Sequence, residues 1–371
     1  MNKRKVIYVL SDVDKALSFE WTAAGLRERF DLCFILIGKE KSGMSGFLTD
    51  HFIKYHEISD EKYRSSASKW LRLCLILIKE RPNTVHTHLW KANLLGLSTA
   101  WLLGVKQRIY TRHHAMVHYD EYPRGLKWDR LCNRMATHVI AISKNVKEIL
   151  INKDGANPAK VYLIHHGFDL SYFQGEHTIA IKALREKYQL NTKCYPVVGV
   201  IARYEKWKGV QCILPAFKEL KEKHPQAHLV LVNAQGNYSR KIKGMLGELR
   251  NDSFTEILFE SNLAPLYQLF DIFVHVPIDS ESEAFGQIYV EALASGVPSI
   301  FTLSGVAPEF IVHEQNALVV PFLDSKSIYI SLERIISDSA LRSKLIANGK
   351  KSTDLFPFSK MISQLEQLYA S

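Results

Sequence analysis

Cysteine is scarce in this 371-residue chain, and its five residues, at positions 33, 74, 132, 194 and 212, are odd in number and widely scattered. The absence of any C-x-x-C pair excludes the common zinc-ribbon and dithiol redox arrangements and points to a chain that stays reduced. Equally missing is an apolar run of bilayer length. The longest candidate, Trp70-Leu-Arg-Leu-Cys-Leu-Ile-Leu-Ile-Lys79, is interrupted by Arg72 and reads as a buried helix. The apolar run Val6 to Leu10 follows the basic start Met1-Asn-Lys-Arg-Lys but is too short for a secretion signal and ends at Ser11-Asp12, so it reads as a first strand. There is no short-period repeat, no low-complexity tract, no zinc-finger or homeodomain spacing and no RNA-binding aromatic motif, and a nucleic-acid partner is not expected. What remains is a globular chain expected in a reducing cytoplasm.

Such a chain needs cores, and 47% hydrophobic residues over this length supply two or three domains' worth. Apolar segments at about 4 to 10, 32 to 37, 83 to 87, 107 to 111, 137 to 142 and 160 to 164 alternate with helical patterns, as parallel sheets require. Ser143 is placed to cap a helix from Lys144 to Ile151, and Pro158 punctuates the loop before the last of these strands. A charged helix, Ala180 to Tyr188, then leads to a second series at 196 to 202, 228 to 232, 255 to 259, 272 to 276 and 298 to 302. The expected organisation is two Rossmann-like domains, 1–172 and 173–354, followed by a helical tail, 355–371.

Charge is unevenly spread. The chain carries a net +10, and residues 101–150 hold a net +5 of it, with Tyr119, Tyr122 and Trp128 interleaved. That segment suits an anionic membrane surface, an anionic acceptor, or plain solvent.

The most informative stretch is Glu283-Ala-Phe-Gly-Gln-Ile-Tyr-Val-Glu291. It follows a short buried strand, Asp271 to Pro277, and opens a helix from about Gly286 to Ser295, stopped by Gly296 and Pro298. At the carboxyl end of such a strand, the free N–H groups of Gly286, Gln287 and Ile288 attract an anion. Glu283 can reach a polar group beside that anion, and Glu291, more than a turn deeper, can accept hydrogen bonds from a diol. Phosphate, sugar and ribose together are what a nucleotide sugar offers. A second basic loop, Ile201-Ala-Arg-Tyr-Glu-Lys-Trp-Lys-Gly209, directly follows another strand. Histidines end two more: His86-Thr-His88, and His113-His114 after Gln107-Arg-Ile-Tyr-Thr-Arg112.

On these residues the chain resembles the retaining, GT-B-type glycosyltransferases of family 4. The E-x7-E element within Ser282 to Pro298 looks like that family's donor-site helix. Arg203 to Gly209 resembles its R-x(4)-K-G loop, Thr111-Arg-His113 its T-x-H element, and His166-Gly-Phe-Asp169 its G-x-D turn. The resemblance implies two Rossmann-like domains facing a central cleft, with the terminal helix 355–371 crossing back onto the first. It further implies a nucleotide-sugar donor, UDP-linked in preference to GDP-linked, and a glycan or lipid-linked acceptor. No cofactor or metal is expected. By the same match Arg203 and Lys208 clamp the diphosphate, Phe285, Gly286, Gln287 and Ile288 line the donor, Glu291 holds the ribose, Glu283 orients the sugar, and His113 approaches it from the first domain. Lys206 could substitute in the clamp, and the choice between His113 and His114 stays open. Cell-surface polysaccharide synthesis, in the cytoplasm or peripherally at the inner face of the membrane, is the expected setting.

The first loop departs from the pattern. Where relatives place consecutive glycines, this chain has Leu10-Ser-Asp-Val-Asp-Lys, so Asp12 and Asp14, with His114, become acceptor-binding candidates. Asp12-Val-Asp14 also matches the D-x-D of metal-dependent transferases, but that reading leaves the 203 to 291 motifs without a role. Two rivals remain. A metal hydrolase would use His86, His88, His113 and His114, and a non-catalytic subunit would keep the fold as a binding scaffold.

Overall fold

The computed structural model describes residues 3–191 and 193–371; Met1 and Asn2, which open the basic start, and Thr192 lie outside them. The chain divides into two units, 1–168 with 358–371, and 169–357. The division thus falls at Phe168/Asp169, ahead of residue 172.

The first unit is built on a seven-stranded parallel sheet of β1 (Lys5–Ser11), β2 (Asp31–Gly38), β3 (Lys54–Ser59), β4 (Thr84–His88), β5 (Gln107–Arg112), β6 (His138–Ala141) and β7 (Val161–Leu163), in the order β3-β2-β1-β4-β5-β6-β7. Its central strands are buried on both faces, which is why their sequences are continuous apolar runs. One face is covered by the helices Leu17–Leu26 and Gly43–Asp50 and by the terminal helix Phe358–Ala370, whose Met361, Ile362, Leu365 and Tyr369 join that core. The helices Ser66–Glu80 and Trp90–Leu102 cover the other face through Leu73, Ile76, Leu77, Ala92 and Ala100.

Two expectations are corrected here. The segment 70–79 is not buried all round: the helix Ser66–Glu80 hides Leu73, Cys74, Ile76 and Leu77 but leaves Leu71, Leu75 and Ile78 in solvent. The helix from Lys144 ends as α-helix at Glu148 and continues as a π-turn, Ile149–Lys153.

The second unit repeats the plan with six parallel strands, β8 (Val197–Ile201), β9 (His228–Val232), β10 (Phe254–Ile257), β11 (Ile272–His275), β12 (Ser299–Phe301) and β13 (Leu318–Val319), in the order β10-β9-β8-β11-β12-β13. The strand order turns back between β1 and β4 in one unit and between β8 and β11 in the other. Loops leaving the carboxyl ends of those strands border the ligand crevice of open α/β sheets. All five cysteines are free thiols.

Candidate functional site

The second unit brings its two sequence motifs together at that switch point. After β8 the chain passes Arg203 into the single turn Lys206–Lys208 and then Gly209, which opens the helix Val210–Lys223. Gly209 sits at φ 75°, and a Cβ there would lie 1.8 Å from the Val276 carbonyl oxygen, so only glycine lets this loop press against the end of β11. The close approach sets Lys208 beside the loop that follows β11. Its Nζ donates to Glu283 Oε2 at 2.7 Å, and both side chains are largely buried. His275 Nε2 lies 3.3 Å from the same oxygen.

Burial pushes the Glu283 carboxyl up, but Lys208 and His275 together outweigh it and hold it down at about 2. Glu283 is therefore a fixed anion at neutral pH. Its backbone N–H donates to Ser304 Oγ at 3.2 Å, and Gly305, at φ 63°, leaves room for its side chain where a Cβ would come within 3.0 Å. Arg203, in contrast, stays mostly in solvent, with Nη1 3.8 Å from Glu205 Oε1. Lys206 is exposed as well, so the two lysines of the loop are now distinguished: Lys208 faces Glu283 and Lys206 faces water.

The helix Gln287–Ala294 begins from Gly286 at φ 80° with no side-chain cap, leaving its first N–H groups to a ligand. Gly286, Gln287 and Ile288 are half-buried, and Phe285 is buried. Glu291 is buried too, not an exposed helix residue, and Tyr267 Oη donates to its Oε2 at 2.8 Å. Burial raises this carboxyl to about 7 against that hydrogen bond, so the two glutamates of the motif carry different charges at neutral pH.

In the first unit, four histidines gather at the carboxyl ends of β4, β5 and β7. His86 is fully buried and satisfied at both nitrogens, by Tyr369 Oη at 2.6 Å and Thr111 Oγ1 at 2.8 Å. It is a structural residue. His113 is half-buried, 2.9 Å through Nε2 from His88 Nδ1, with its ring stacked 5.6 Å from His166. Burial holds His88 and His113 well below the usual histidine range, so both rings are neutral at pH 7 and share one proton between these two nitrogens. His88 Nε2 is buried without a partner. The arrangement that leaves no buried N–H without an acceptor has His88 Nδ1–H donating to His113 Nε2. We assign His113 on that ground as the Nδ1–H tautomer, which offers a ligand a hydrogen-bond donor.

His114 belongs to a different network. Its Nε2 lies 3.3 Å from Asp129 Oδ2, which also accepts from His118 at 2.6 Å and pairs with Arg112 at 2.9 Å. Arg112 is 1% exposed and reaches Asp154 on its other side at 3.2 Å. The residues that tie down the end of β5 were not visible as partners in the sequence, where Arg112 and Asp129 counted only toward the net charge of residues 101–150 and Asp154 drew no reading. No periodicity marks them. Tyr267 and Ser304, which hold the second unit's glutamates, escaped because each is more than twenty residues from the group it touches, and His275 escaped because it lies inside a strand read only for its apolar pattern.

Asp12 forms an exposed pair with Lys91 at 3.1 Å, and an Asp14 carboxylate oxygen accepts from the Gly43 N–H at 3.1 Å. Among the described residues, the side-chain groups close enough to share a cation are Cys33, His56 and Glu80, and His114, His118 and Asp129. Both already hold positive charge: Lys5 and Lys54 sit on Glu80, and Arg112 on Asp129. Neither includes Asp12, Asp14 or the His86 and His88 pair that a metal hydrolase would need.

The comparisons agree with this geometry. Residues 42–172 match the family described as Glycosyltransferase Family 4, and residues 181–352 that described as Glycosyl transferases group 1. The capsular polysaccharide biosynthesis glycosyltransferase CapM of Staphylococcus aureus is 26% identical over 313 residues, covering 82% of this chain and 81% of its own. Mannosylfructose-phosphate synthase of Agrobacterium fabrum is 23% identical over 328 residues, covering 80% and 71%. Among solved structures, HepE of Anabaena in complex with UDP and glucose superposes with a TM-score of 0.85 at 19% identity, covering 99% of both chains. With two Rossmann-like units, a Lys–Glu pair at the switch point and matches running through both halves, the chain belongs to the group 1, family 4 glycosyltransferases of the GT-B fold.

Proposed function

We propose that this glycosyltransferase moves a sugar from a nucleotide donor, UDP-linked in preference to GDP-linked, to a hydroxyl of a glycan or lipid-linked acceptor in cell-surface polysaccharide synthesis. The transfer retains anomeric configuration and uses no metal. The observation that carries the reading is the buried Lys208–Glu283 pair beside an uncapped helix amino terminus, because it sets a cation, an anion and free N–H donors around one point. HepE, which shares the fold, binds UDP and glucose, and CapM acts in capsular polysaccharide biosynthesis; both support the choice of donor and pathway class.

In this reading the bond between the anomeric carbon and the diphosphate oxygen breaks, and its electron pair leaves with the diphosphate. Arg203, Lys208 and the Gly286 to Ile288 amides stabilise the charge that develops there, the work a metal does in other transferases. The acceptor oxygen bonds to the oxocarbenium-like carbon from the face the diphosphate leaves, and its proton passes to the departing phosphate oxygen. Glu283 orients sugar hydroxyls, Glu291 accepts from the ribose diol, and His113 donates to the sugar. Incubation with UDP-sugars in EDTA, followed by proton NMR, tests this. An α-linked donor should release UDP and yield the α-anomer first. Release no faster than from Arg203→Ala, for every UDP- and GDP-sugar tried, would move the non-catalytic scaffold to the front.

A further inference from the structure

One stretch of the first unit is strongly basic, although Lys69 pairs with Asp60 and Lys91 with Asp12 at its borders. Between Glu61 and Asp120 the chain has ten lysines and arginines and one carboxylate, Glu80. That carboxylate is withdrawn: it is buried and bonded to Lys5, Lys54 and His56. The helices Ser66–Glu80 and Trp90–Leu102, which lie side by side over the sheet with Trp70 Nε1 donating to Ser98 Oγ at 3.1 Å, therefore present no carboxylate to solvent.

What they do present is apolar. Leu71, Leu75 and Ile78 recur on the outer side of the first helix at 59%, 61% and 55% exposure, and Trp101 and Leu102 end the second at 59% and 58%. This is the helical spacing of a designed stripe turned outward, on a helix whose opposite side already fills the core. Exposed Lys79, Arg81 and Lys106 flank it. Because Ile78 precedes β4 and Trp101 precedes β5, the stripe lies toward the amino ends of the strands, whereas His88 and His113 lie at their carboxyl ends.

We propose that this face docks on an anionic lipid bilayer, with Leu71, Leu75, Ile78, Trp101 and Leu102 entering the headgroup boundary and Lys79, Arg81 and Lys106 meeting lipid phosphates. The charge decides between occupants. A second copy of the chain packed on this face about a two-fold axis would set Lys79, Arg81 and Lys106 against one another, with no exposed carboxylate on either helix to answer them. An anionic surface answers both features, apolar tips for the acyl boundary and cations for the phosphates.

The inference goes beyond the proposed function, and vesicle binding is read without nucleotide or turnover, so each can fail alone. Cosedimentation with vesicles of equal parts phosphatidylglycerol and phosphatidylcholine, and with phosphatidylcholine alone, tests it. The expected result is binding to the anionic vesicles that high salt abolishes. Leu75→Glu with Ile78→Glu, and separately Lys79→Glu with Lys106→Glu, should each weaken it about tenfold or more. Ile179→Glu, which alters a still more exposed apolar residue of the second unit, should bind as wild type. Circular dichroism confirms that the variants fold. Wild type left in the supernatant, or variants that sediment as wild type does, would overturn the proposal. So would a gel-filtration dimer that Leu75→Glu dissociates, which would give the face to a second copy.

Discussion

Removing the ammonium from Lys208 should cost the protein stability before it costs any chemistry. In Lys208→Met the methylenes remain, but the buried Glu283 loses the ammonium at 2.7 Å and keeps the His275 ring at 3.3 Å. Breaking one side of a buried pair costs about 3–5 kcal/mol, and the lower end applies here because His275 can take up a proton. At about 2–4 °C per kcal/mol for a domain of this size, the second unit should melt about 10 °C lower at pH 7. The pH dependence gives the sign. In wild type the Glu283 carboxyl is held at about 2, below its ordinary 4.5, so its contribution is present above pH 4.5 and lost as pH falls toward 2. Without Lys208, burial dominates and lifts the folded value above 4.5, so the deficit should shrink as pH is lowered from 7 to 4. Glu283→Gln added to Lys208→Met should restore most of the melting temperature and none of the nucleotide affinity. Differential scanning calorimetry across that pH range reads all three proteins. A Lys208→Met melt within about 1 °C of wild type at pH 7 would refute the reasoning, since the pair would then be worth no more than a surface ion pair.

Gly209→Ala would drive a Cβ into the Val276 carbonyl oxygen, so the loop must move; nucleotide affinity should fall at least about tenfold in calorimetry, whereas Gly104→Ala, also at positive φ but with open space around it, should not change it. Glu291, raised to about 7, accepts from both hydroxyls of a ribose diol through its two oxygens only when ionised, so UDP-sugar affinity should rise as pH goes from 6 to 7.5, and Glu291→Gln should flatten the profile. His88→Phe removes the donor that fixes His113; nitrogen-15 NMR should show His113 as the Nδ1–H tautomer in wild type and a mixture in the variant, with kcat reduced more than KM is raised. A pure Nε2–H tautomer in wild type would contradict the assignment.

The motifs were legible because each is local. A strand, a glycine and a helix start fit within one run of sequence, so the loop 203–209 and the helix after Gly286 could be placed before any coordinates. Strand β3 was not. Lys54, His56 and Glu57 make it a polar edge strand with little apolar patterning to mark it. The exposed stripe on Ser66–Glu80 was misread for a related reason: a helix apolar on two sides gives the same hydrophobic run whether its second side is buried or not. Part of what set the charges of Glu283 and Glu291 was also hidden, since neither the His275 ring nor the Tyr267 hydroxyl falls inside the motif it acts on. Arg112 shows the same limit in reverse. As a residue among basic neighbours it looked solvated, yet the chain turns it inward between Asp129 and Asp154.

The central claim is a metal-free nucleotide site in the second unit, and titration calorimetry of UDP and GDP in EDTA tests it most directly, with Arg203→Ala and Glu291→Ala beside wild type. The account predicts that UDP binds more tightly than GDP and that each substitution weakens it about tenfold or more, roughly 1.4 kcal/mol. Binding that returns only when a divalent cation is restored, or binding that neither substitution changes, would contradict it.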